Sequence, residues 1–339
     1  MKKTLRLLVA GVAVGSLALT GCASEGGTGD TPDASPLDFT IASLTAPTVH
    51  YGMGIEAMAS YIEENSERPA TVTHAANATL GGDPQLFEGV QLGSIEIAVV
   101  TSSTLGTVNP EWRLLDLPYL FDDPGDLFRV LDGPIGEEMM TKFDGQSFVI
   151  LGFYNAGIYT LYGDREINSI DDIQGVKTRV RESPLDIATI GAFGANPTPV
   201  PWPDVYEALQ NGTVNLSNTT VPSLLAASHN EVIASVSKTD HYIGSVAIIA
   251  NKKWWEGLDE ATQGVILAGL AEGKEVDRVQ FAAQMDNAFE TLEAQGVSIT
   301  EPDLKPFKAA ASEKVWPQFV TDAISKDLVS RIQAESAKQ

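Results

Sequence analysis

Short apolar segments alternate with amphipathic helical segments in the amino-terminal third of the chain, and this alternation is the feature that most constrains the fold. Strands are predicted over 38–44, 70–74 and 95–100, and the last is an uninterrupted apolar run of the kind buried on both faces of a sheet. Helices are predicted between these strands, over 49–64 and 83–92. Since strands that alternate with helices build a sheet covered by helices, we expect an α/β fold.

The length of the chain and one long helical segment predict how its cores are arranged. At 339 residues, the chain suits two domains of ordinary size. A helical pattern from about 261 to 295 exceeds the usual length of a globular helix, so we expect it to bridge both domains. Gly269 and Gly273 lie inside this pattern and weaken the prediction of an unbroken helix, because glycine is a poor helix former.

The middle of the chain predicts shorter elements separated by glycines and prolines. The proline-rich segment 194–201 is predicted to lie at a sheet edge, because proline cannot donate a hydrogen bond to a neighbouring strand. A last amphipathic helix is predicted over 314–333. Separate short strands are predicted over 148–153, 159–162, 214–217, 232–236 and 245–250.

The amino terminus resembles the export signal of a bacterial lipoprotein. Basic residues at 2–6 precede the apolar run 7–19, which is too short to span a bilayer permanently, and Leu19-Thr20-Gly21-Cys22 then resembles a lipobox. We expect residues 1–21 to be a signal peptide, Cys22 to receive the lipid and residues 22–36 to form a flexible polar linker. We therefore expect the protein to be exported and to lie either lipid-anchored at the outer face of the cytoplasmic membrane or in the periplasm.

Charge and motif content exclude several classes of function. A formal net charge of −23 makes nucleic acid an improbable partner, whereas a small anionic ligand stays compatible with it, because salt screens distant charges over about 8 Å. The four histidines occur at no metal-ligand spacing, and the chain has no HExxH, GxSxG or Walker motif. Cys22 is the only cysteine, so no intramolecular disulfide can form. The sequence therefore predicts neither an enzyme nor a metal or cofactor site.

Arg179 is the first candidate ligand-binding residue. It lies near the carboxyl end of a predicted strand, 175–180, just ahead of a helix that begins at Ser183 and Pro184. Ligands bind at the carboxyl ends of strands in open α/β sheets, and the planar fork of arginine holds a carboxylate through two hydrogen bonds. Taken alone, the same residue is better explained as a surface arginine paired with an acid, and the rest of the chain changes this balance.

Several segments in a fixed order resemble the substrate-binding receptors of TRAP (tripartite ATP-independent periplasmic) transporters, over about residues 38–332. The resemblance implies a two-domain fold like that of periplasmic binding proteins, with a long helix spanning both domains and a ligand cleft between them. It implies a receptor, expected to be monomeric, that delivers its ligand to membrane permease subunits driven by an ion gradient. The segments are Leu80–Asp83, Glu88–Gly93, Leu117–Phe121, Gly175–Val180, Gly194–Pro199, Trp202, Val205–Tyr206 and Ala208–Gly212.

The resemblance also implies domain boundaries and two site residues. Domain 1 is expected to comprise 37–156 and 245–285, and domain 2 to comprise 157–244 and 286–339. Arg179 matches the carboxylate-binding arginine of the family. Trp202 matches a position that commonly places an aromatic ring in the pocket, although packing against its own domain explains it equally well.

The chain departs from the family at positions where ligand selectivity is expected. Many members have a second arginine at the position of Tyr159, and some have an acid at the position of Thr101. Asn218 and Thr219 stand where members often have an acid and an amide. These changes predict one cation among neutral groups, and so a monocarboxylate, hydroxylated or with an apolar tail, rather than a dicarboxylate.

Two other functions stay open on the sequence. A zwitterion such as a compatible solute or an amino acid would place its carboxylate on Arg179 and its cationic end against tyrosine or tryptophan rings. A lipid-anchored enzyme that reuses the fold is the other alternative, although the sequence contains no nucleophile and base motif.

Overall fold

The strands of this protein form one mixed sheet of nine strands. The computed structural model describes residues 35–143 and 145–338. The predicted signal peptide, Cys22 and nearly all of the predicted linker lie outside the described residues. None of the described helices is long and apolar enough to cross a membrane. The strands are β1 (Leu37–Ser43), β2 (Ala70–Ala75), β3 (Ile97–Thr101), β4 (Phe148–Gly163), β5 (Lys177–Val180), β6 (Asn196–Pro199), β7 (Leu216–Thr220), β8 (Ser235–Asn251) and β9 (Ser298–Thr300).

The strand order divides the sheet into two halves that share two long strands. The order is β2-β1-β3-β8-β4-β7-β5-β6, and β9 also pairs with β8. Parallel strands lie on each side, β1 with β2 and β3 in one half and β5 with β6 and β7 in the other. The strand at 196–199 lies at the sheet edge, as its prolines predict.

The long strands β4 and β8 correct the predictions for the middle of the chain. They pair antiparallel from Phe148 opposite Asn251 to Gly163 opposite Ser235, with three register shifts. The predicted breaks after 153 and after 236 are therefore wrong. Glycines and polar residues interrupt the apolar pattern there, but β-bulges absorb such residues without ending the ladder of hydrogen bonds.

The helices cover the sheet, and most predicted helices are confirmed. Four 3₁₀ turns also occur in the described chain, at Pro110–Asp116, Ile170–Ile173, Trp202–Asp204 and His229–Glu231, and a π-helical turn spans Ala311–Val315. The helices are α1 (His50–Asn65), α2 (Asp83–Leu92), α3 (Ser102–Leu105), α4 (Pro124–Leu131), α5 (Pro134–Thr141), α6 (Pro184–Ala192), α7 (Val205–Gln210), α8 (Val221–Ala226), α9 (Lys252–Glu256), α10 (Glu260–Ala294), α11 (Lys305–Ala310), α12 (Trp316–Phe319) and α13 (Ala323–Ser336).

The carboxyl-terminal segment is not the single helix predicted over 314–333. Helices α12 and α13 are separated at Val320, and Asp322 begins α13 by accepting a hydrogen bond from the Ser325 amide. Apolar residues of α13 pack in the same core as those of α4, in the half of the sheet that contains β3. The domain boundaries stay a prediction, and α13 packs against a helix of predicted domain 1 although the prediction assigned it to domain 2.

Helix α10 is unbroken over its 35 residues and lies against both halves of the sheet. Two of its three interior glycines, Gly269 and Gly273, are explained by close packing against α1. A Cβ atom at Gly269 would lie 3.0 Å from the carbonyl oxygen of Met58. At Gly273 a Cβ atom would overlap the carbonyl oxygen of Gly54 and the hydroxyl of the buried Tyr154. These glycines cost helix propensity and in return allow α1 to pack closely along α10.

Replacing Gly273 with alanine is expected to destabilise the protein by about 2 kcal/mol, because the added methyl group would separate α1 from α10 and displace the Tyr154 hydroxyl. Gly264→Ala is the matched control in the same helix, where nothing lies within 4 Å of the added Cβ. That control should stabilise by about 0.5–1 kcal/mol, the gain in helix propensity. Urea unfolding measures both, and a stabilising Gly273→Ala would contradict the close packing.

Candidate functional site

A cavity of about 590 Å³ opens where strands of both halves of the sheet end. Its walls include Asp83 and Thr101 from the half with β3, and Arg181 from the half with β5. Thr101 is the last residue of β3, and Arg179 is the third of the four residues of β5. The cavity therefore lies at the carboxyl ends of parallel strands, where ligands bind in open α/β sheets. Five of the six predicted ligand-binding residues line it: Thr101, Tyr159, Arg179, Trp202 and Thr219.

Arg179 brings a buried positive charge to this cavity. The residue is 3% exposed, its Nε donates to the Val200 carbonyl at 2.8 Å, and its guanidinium lies 5.8 Å from the centre of the Trp202 ring. Burial lowers the pKa of Arg179, but an arginine stays protonated in proteins. Among the described residues no carboxylate lies within ion-pair distance of it. A buried charge without a counter-charge is costly, so an anion bound here would be strongly favoured.

Arg181 is a second arginine in the cavity, with 12% of its side chain exposed, and the sequence interpretation missed it. Its Nε and Nη2 each lie 2.8 Å from an oxygen of Asp186, and Nη2 lies 3.5 Å from Asp116. Alternate residues of an extended segment share a face, so the arginine two positions after Arg179 could have been expected there. Arg113 lines the cavity as well. The prediction of a single cation is therefore wrong, but the charge of Arg181 is already matched by two carboxylates.

Aromatic rings hold Arg181 in place. Its guanidinium lies 5.0 Å from the Tyr159 ring and 4.7 Å from the Tyr242 ring, and these two rings are stacked at 4.2 Å. Its Nη1 also donates at 3.2 Å to the hydroxyl of Ser103, which lies on the other side of the cavity. Tyr159, the position where many family members have an arginine, thus lies against a guanidinium supplied by the residue that follows β5.

Asp83 is a cavity carboxylate that the sequence interpretation did not include among the candidate site residues. It is the first residue of α2, and its two oxygens accept hydrogen bonds from the Thr101 amide at 3.2 Å and the Thr101 hydroxyl at 2.6 Å. Burial raises the pKa of Asp83, and the hydrogen bonds from Thr101 oppose this rise. Thr101 therefore directs its hydroxyl hydrogen bond to Asp83. The cavity combines an unpaired cation with carboxylates that are held by neighbouring groups.

Comparison with known families identifies the class of protein to which this cavity belongs. Residues 41–322 match the model of the bacterial extracellular solute-binding protein family 7, which covers most of the chain. The chain belongs to this family. The match confirms the predicted relationship to TRAP solute-binding receptors, which rested on scattered segments of the sequence.

Individual relatives of this family 7 receptor agree in sequence and in fold. A solute-binding protein from Verminephrobacter eiseniae is 30% identical over 287 residues, 84% of this chain and 86% of the relative. A TRAP periplasmic solute-binding protein from Xanthobacter autotrophicus, with bound β-D-galacturonate, is 27% identical with a TM-score of 0.83, over 87% of this chain and 99% of that chain. Another from Sulfurospirillum deleyianum, with bound succinate, is 26% identical with a TM-score of 0.82, over 88% and 98%. The predicted α/β receptor fold is confirmed.

Asn218 is the predicted site residue that the receptor does not bring to the cavity. It is 1% exposed, and its side-chain nitrogen lies 3.4 Å from Nε2 of His241. Successive side chains of a strand point to opposite faces, so Thr219 faces the cavity and Asn218 faces away from it. The structure therefore does not place Asn218 in the cavity wall, where it was predicted to contact the ligand.

One wall of the receptor cavity is mainly aromatic and apolar. Trp202, Pro201, Pro203 and Tyr206 line the side next to Arg179. Of the two explanations for Trp202, the structure supports the cavity wall, because its ring lies beneath the cation of Arg179. No cluster of three or more potential metal ligands occurs among the described residues.

Proposed function

We propose that this receptor binds a small organic acid with one carboxylate, and that Arg179 holds this carboxylate. The observation that carries the proposal is that Arg179 and Arg181 differ in their counter-charges. Arg181 already has Asp186 and Asp116 as counter-charges, whereas Arg179 has none among the described residues. A carboxylate on the guanidinium of Arg179 would make charge-assisted paired hydrogen bonds, which strengthen as closure of the cavity excludes water.

A single carboxylate fits the cavity better than two. The known ligands of the relatives include a hydroxylated monocarboxylate, galacturonate, and a dicarboxylate, succinate. Besides Asp83, the carboxylates of Glu88 and Glu182 line this cavity. A second ligand carboxylate would meet these like charges. Arg113 also lines the cavity. A dicarboxylate would have to place its second carboxylate on Arg113, and the binding panel below tests this alternative with succinate.

The neutral part of the cavity fits a polyhydroxylated carbon skeleton. Tyr51, Thr219 and Ser223 bring hydroxyl groups to its wall, and Trp202 provides a flat apolar surface. The volume of about 590 Å³ lies within the range of small-molecule sites. A sugar acid would use the hydroxyl groups for hydrogen bonds and stack a face of its carbon skeleton on the tryptophan.

The proposal extends to the transport cycle. The protein is exported, anchored through a lipid on Cys22, and delivers its acid as a monomer to TRAP permease subunits without converting it chemically. The two halves of the sheet act as the lobes that close on the ligand. The shared strands β4 and β8 and the long helix α10 connect these halves, which supports them as the hinge.

Arg179→Ala is expected to weaken the binding of a monocarboxylate at least 30-fold, about 2 kcal/mol, because the anchoring cation is lost. Calorimetry and thermal shift would compare D-galacturonate, D-erythronate, succinate and glycine betaine. A ligand at a hundredfold excess over Kd stabilises the native state by about 2.7 kcal/mol, which a melting curve resolves.

Two controls make the Arg179 experiment decisive. The ligand-free Arg179→Ala variant should melt no lower than the wild type, since the substitution removes an unpaired buried charge. Arg165→Ala removes a half-exposed arginine outside the cavity and should leave binding unchanged. Tighter binding of succinate than of every monocarboxylate, or binding that survives Arg179→Ala, would contradict the proposal. Binding of glycine betaine alone would favour a zwitterion receptor.

A further inference from the structure

His229 lines the same cavity, and the sequence interpretation assigned it no role. It begins the 3₁₀ turn after α8 and is 2% exposed. The preceding residue, Ser228, has a φ of 58°, a left-handed conformation that residues other than glycine rarely adopt. Such strained backbone persists only where the surrounding structure enforces it, and it is frequent at functional sites. The turn therefore fixes the position of the imidazole at the cavity wall.

The hydrogen bonding of His229 leaves one ring nitrogen for a ligand. Nδ1 lies 2.9 Å from the hydroxyl of Tyr162, a buried residue of β4. Within the described chain, Nε2 of the same ring has no hydrogen-bond partner. The phenol is the stronger proton donor of the pair and the imidazole nitrogen the stronger acceptor, so Tyr162 donates to Nδ1. The proton of the neutral ring is then on Nε2, because the bond at one nitrogen sets the tautomer.

The environment keeps the ring neutral. Burial lowers the pKa of His229 to about 4, and the positive charge of Arg179 acts in the same direction. No ion pair to a carboxylate is formed by His229 among the described residues. At neutral pH, His229 therefore offers the cavity one N–H donor and no charge.

Arg179, Trp202 and His229 form one continuous stretch of the cavity wall. The guanidinium lies 5.8 Å from the centre of the Trp202 ring, and the Trp202 and His229 rings lie 4.9 Å apart. The Tyr206 ring also lies near the imidazole, with 6.4 Å between the ring centres. A ligand with its carboxylate on Arg179 and its carbon skeleton on Trp202 would extend towards His229.

We propose that His229 is a specificity-determining residue, whose Nε2 donates a hydrogen bond to a hydroxyl oxygen of the acid held by Arg179. This inference rests on the proposed function and narrows its ligand class to hydroxylated acids. A site built to hydrogen-bond a hydroxyl group discriminates against the analogue that lacks it, because the buried donor is then left unpaired. A neutral donor beside the carboxylate site also selects hydroxyl groups without creating a second anion site.

Two substitutions of His229 separate the ligand contact from the contact with Tyr162. The amide of Asn reaches the position of Nδ1 and not that of Nε2, so His229→Asn keeps the partner of Tyr162 and loses the ligand donor. The longer amide of Gln reaches the position of Nε2, so His229→Gln keeps the ligand donor. Tyr162→Phe provides a third variant, which leaves the imidazole in place but no longer fixes its tautomer.

The probes are D-erythronate, a four-carbon acid with three hydroxyl groups, and butyrate, the same carbon chain without them. His229→Asn is expected to raise the Kd of D-erythronate about tenfold and that of butyrate less than twofold. His229→Gln should keep both values within about threefold of wild type, and Tyr162→Phe should weaken D-erythronate alone. A ¹⁵N spectrum of the wild-type imidazole should show Nε2 protonated and shifted by D-erythronate but not by butyrate.

The outcomes distinguish this inference from the proposed function. If D-erythronate binds and Arg179→Ala abolishes the binding, but His229→Asn weakens both probes equally or neither, the role of His229 alone is refuted. An Nε2 signal that does not respond to D-erythronate refutes it as well, even if the variants fail to fold. If no acid binds the wild-type protein, the proposed function fails, and the role of His229 fails with it.

Discussion

Asp186→Ala is expected to lower the free energy of unfolding by about 3 to 5 kcal/mol, because it leaves the buried guanidinium of Arg181 without its main counter-charge. Both oxygens of Asp186 contact Arg181 at 2.8 Å, and the exposed fractions of the two side chains are only 3% and 12%. Burial alone would raise the pKa of Asp186, but Arg181 holds it below its ordinary value. Urea unfolding at pH 7 would measure the loss.

Asp164→Ala is the matched control for that experiment. Asp164 also pairs with an arginine at 2.8 Å, Arg165, but nearly half of each side chain is exposed. Exposed ion pairs contribute less than about 1 kcal/mol, so this variant should lose little stability. Adding Arg181→Met to Asp186→Ala should restore part of the loss, because the guanidinium that had lost its main counter-charge is then removed. Equal losses in the two single variants would show that burial does not control the strength of these pairs.

The amino-terminal third of the fold could be predicted because its signals are local. The helix predicted over 49–64 spans His50–Asn65, and the strand predicted over 70–74 spans Ala70–Ala75. Each of these elements carries its own apolar period and its own end signals. The long strands β4 and β8 could not be predicted in the same way. Their continuity depends on pairing between residues far apart in the chain, from Gly163 with Ser235 to Phe148 with Asn251, which no local pattern records.

The sequence predicts a site residue when its place depends only on its position along a strand. It does not predict a site residue whose place depends on side-chain orientation or on contacts with distant parts of the chain. Arg179 follows from its place at the end of a strand. The strand predicted over 214–217 actually spans Leu216–Thr220, so the prediction could not assign which of Asn218 and Thr219 faces the cavity. The pairing of Arg181 with Asp116 and its stacking on Tyr242 join distant parts of the chain, as does the contact that fixes the His229 ring.

Asp116 is the member of the Arg181 cluster whose charge is poorly compensated. It is 4% exposed, and its Oδ2 lies 3.5 Å from Arg181 without accepting a hydrogen bond from the described residues. Burial raises the pKa of Asp116 from 3.8 to about 6, against the attraction of Arg181, and the nearby charge of Asp186 adds to the rise. The folded protein therefore binds this proton more tightly than the unfolded chain does. Ionisation of Asp116 destabilises the fold progressively as the pH rises from about 4 to about 6.

Asp116→Asn is accordingly expected to stabilise the protein above pH 6 and to have little effect below pH 4. At about 1.4 kcal/mol for each pKa unit, a rise from 3.8 to about 6 corresponds to a gain of about 3 kcal/mol at pH 7. Urea unfolding of both proteins between pH 4 and pH 8 isolates this contribution, because all other titrating groups are common to both. A difference that does not change with pH would show that Asp116 titrates normally. A variant less stable than wild type at pH 7 would show that the pair of Asp116 with Arg181 outweighs the cost of burying the carboxylate.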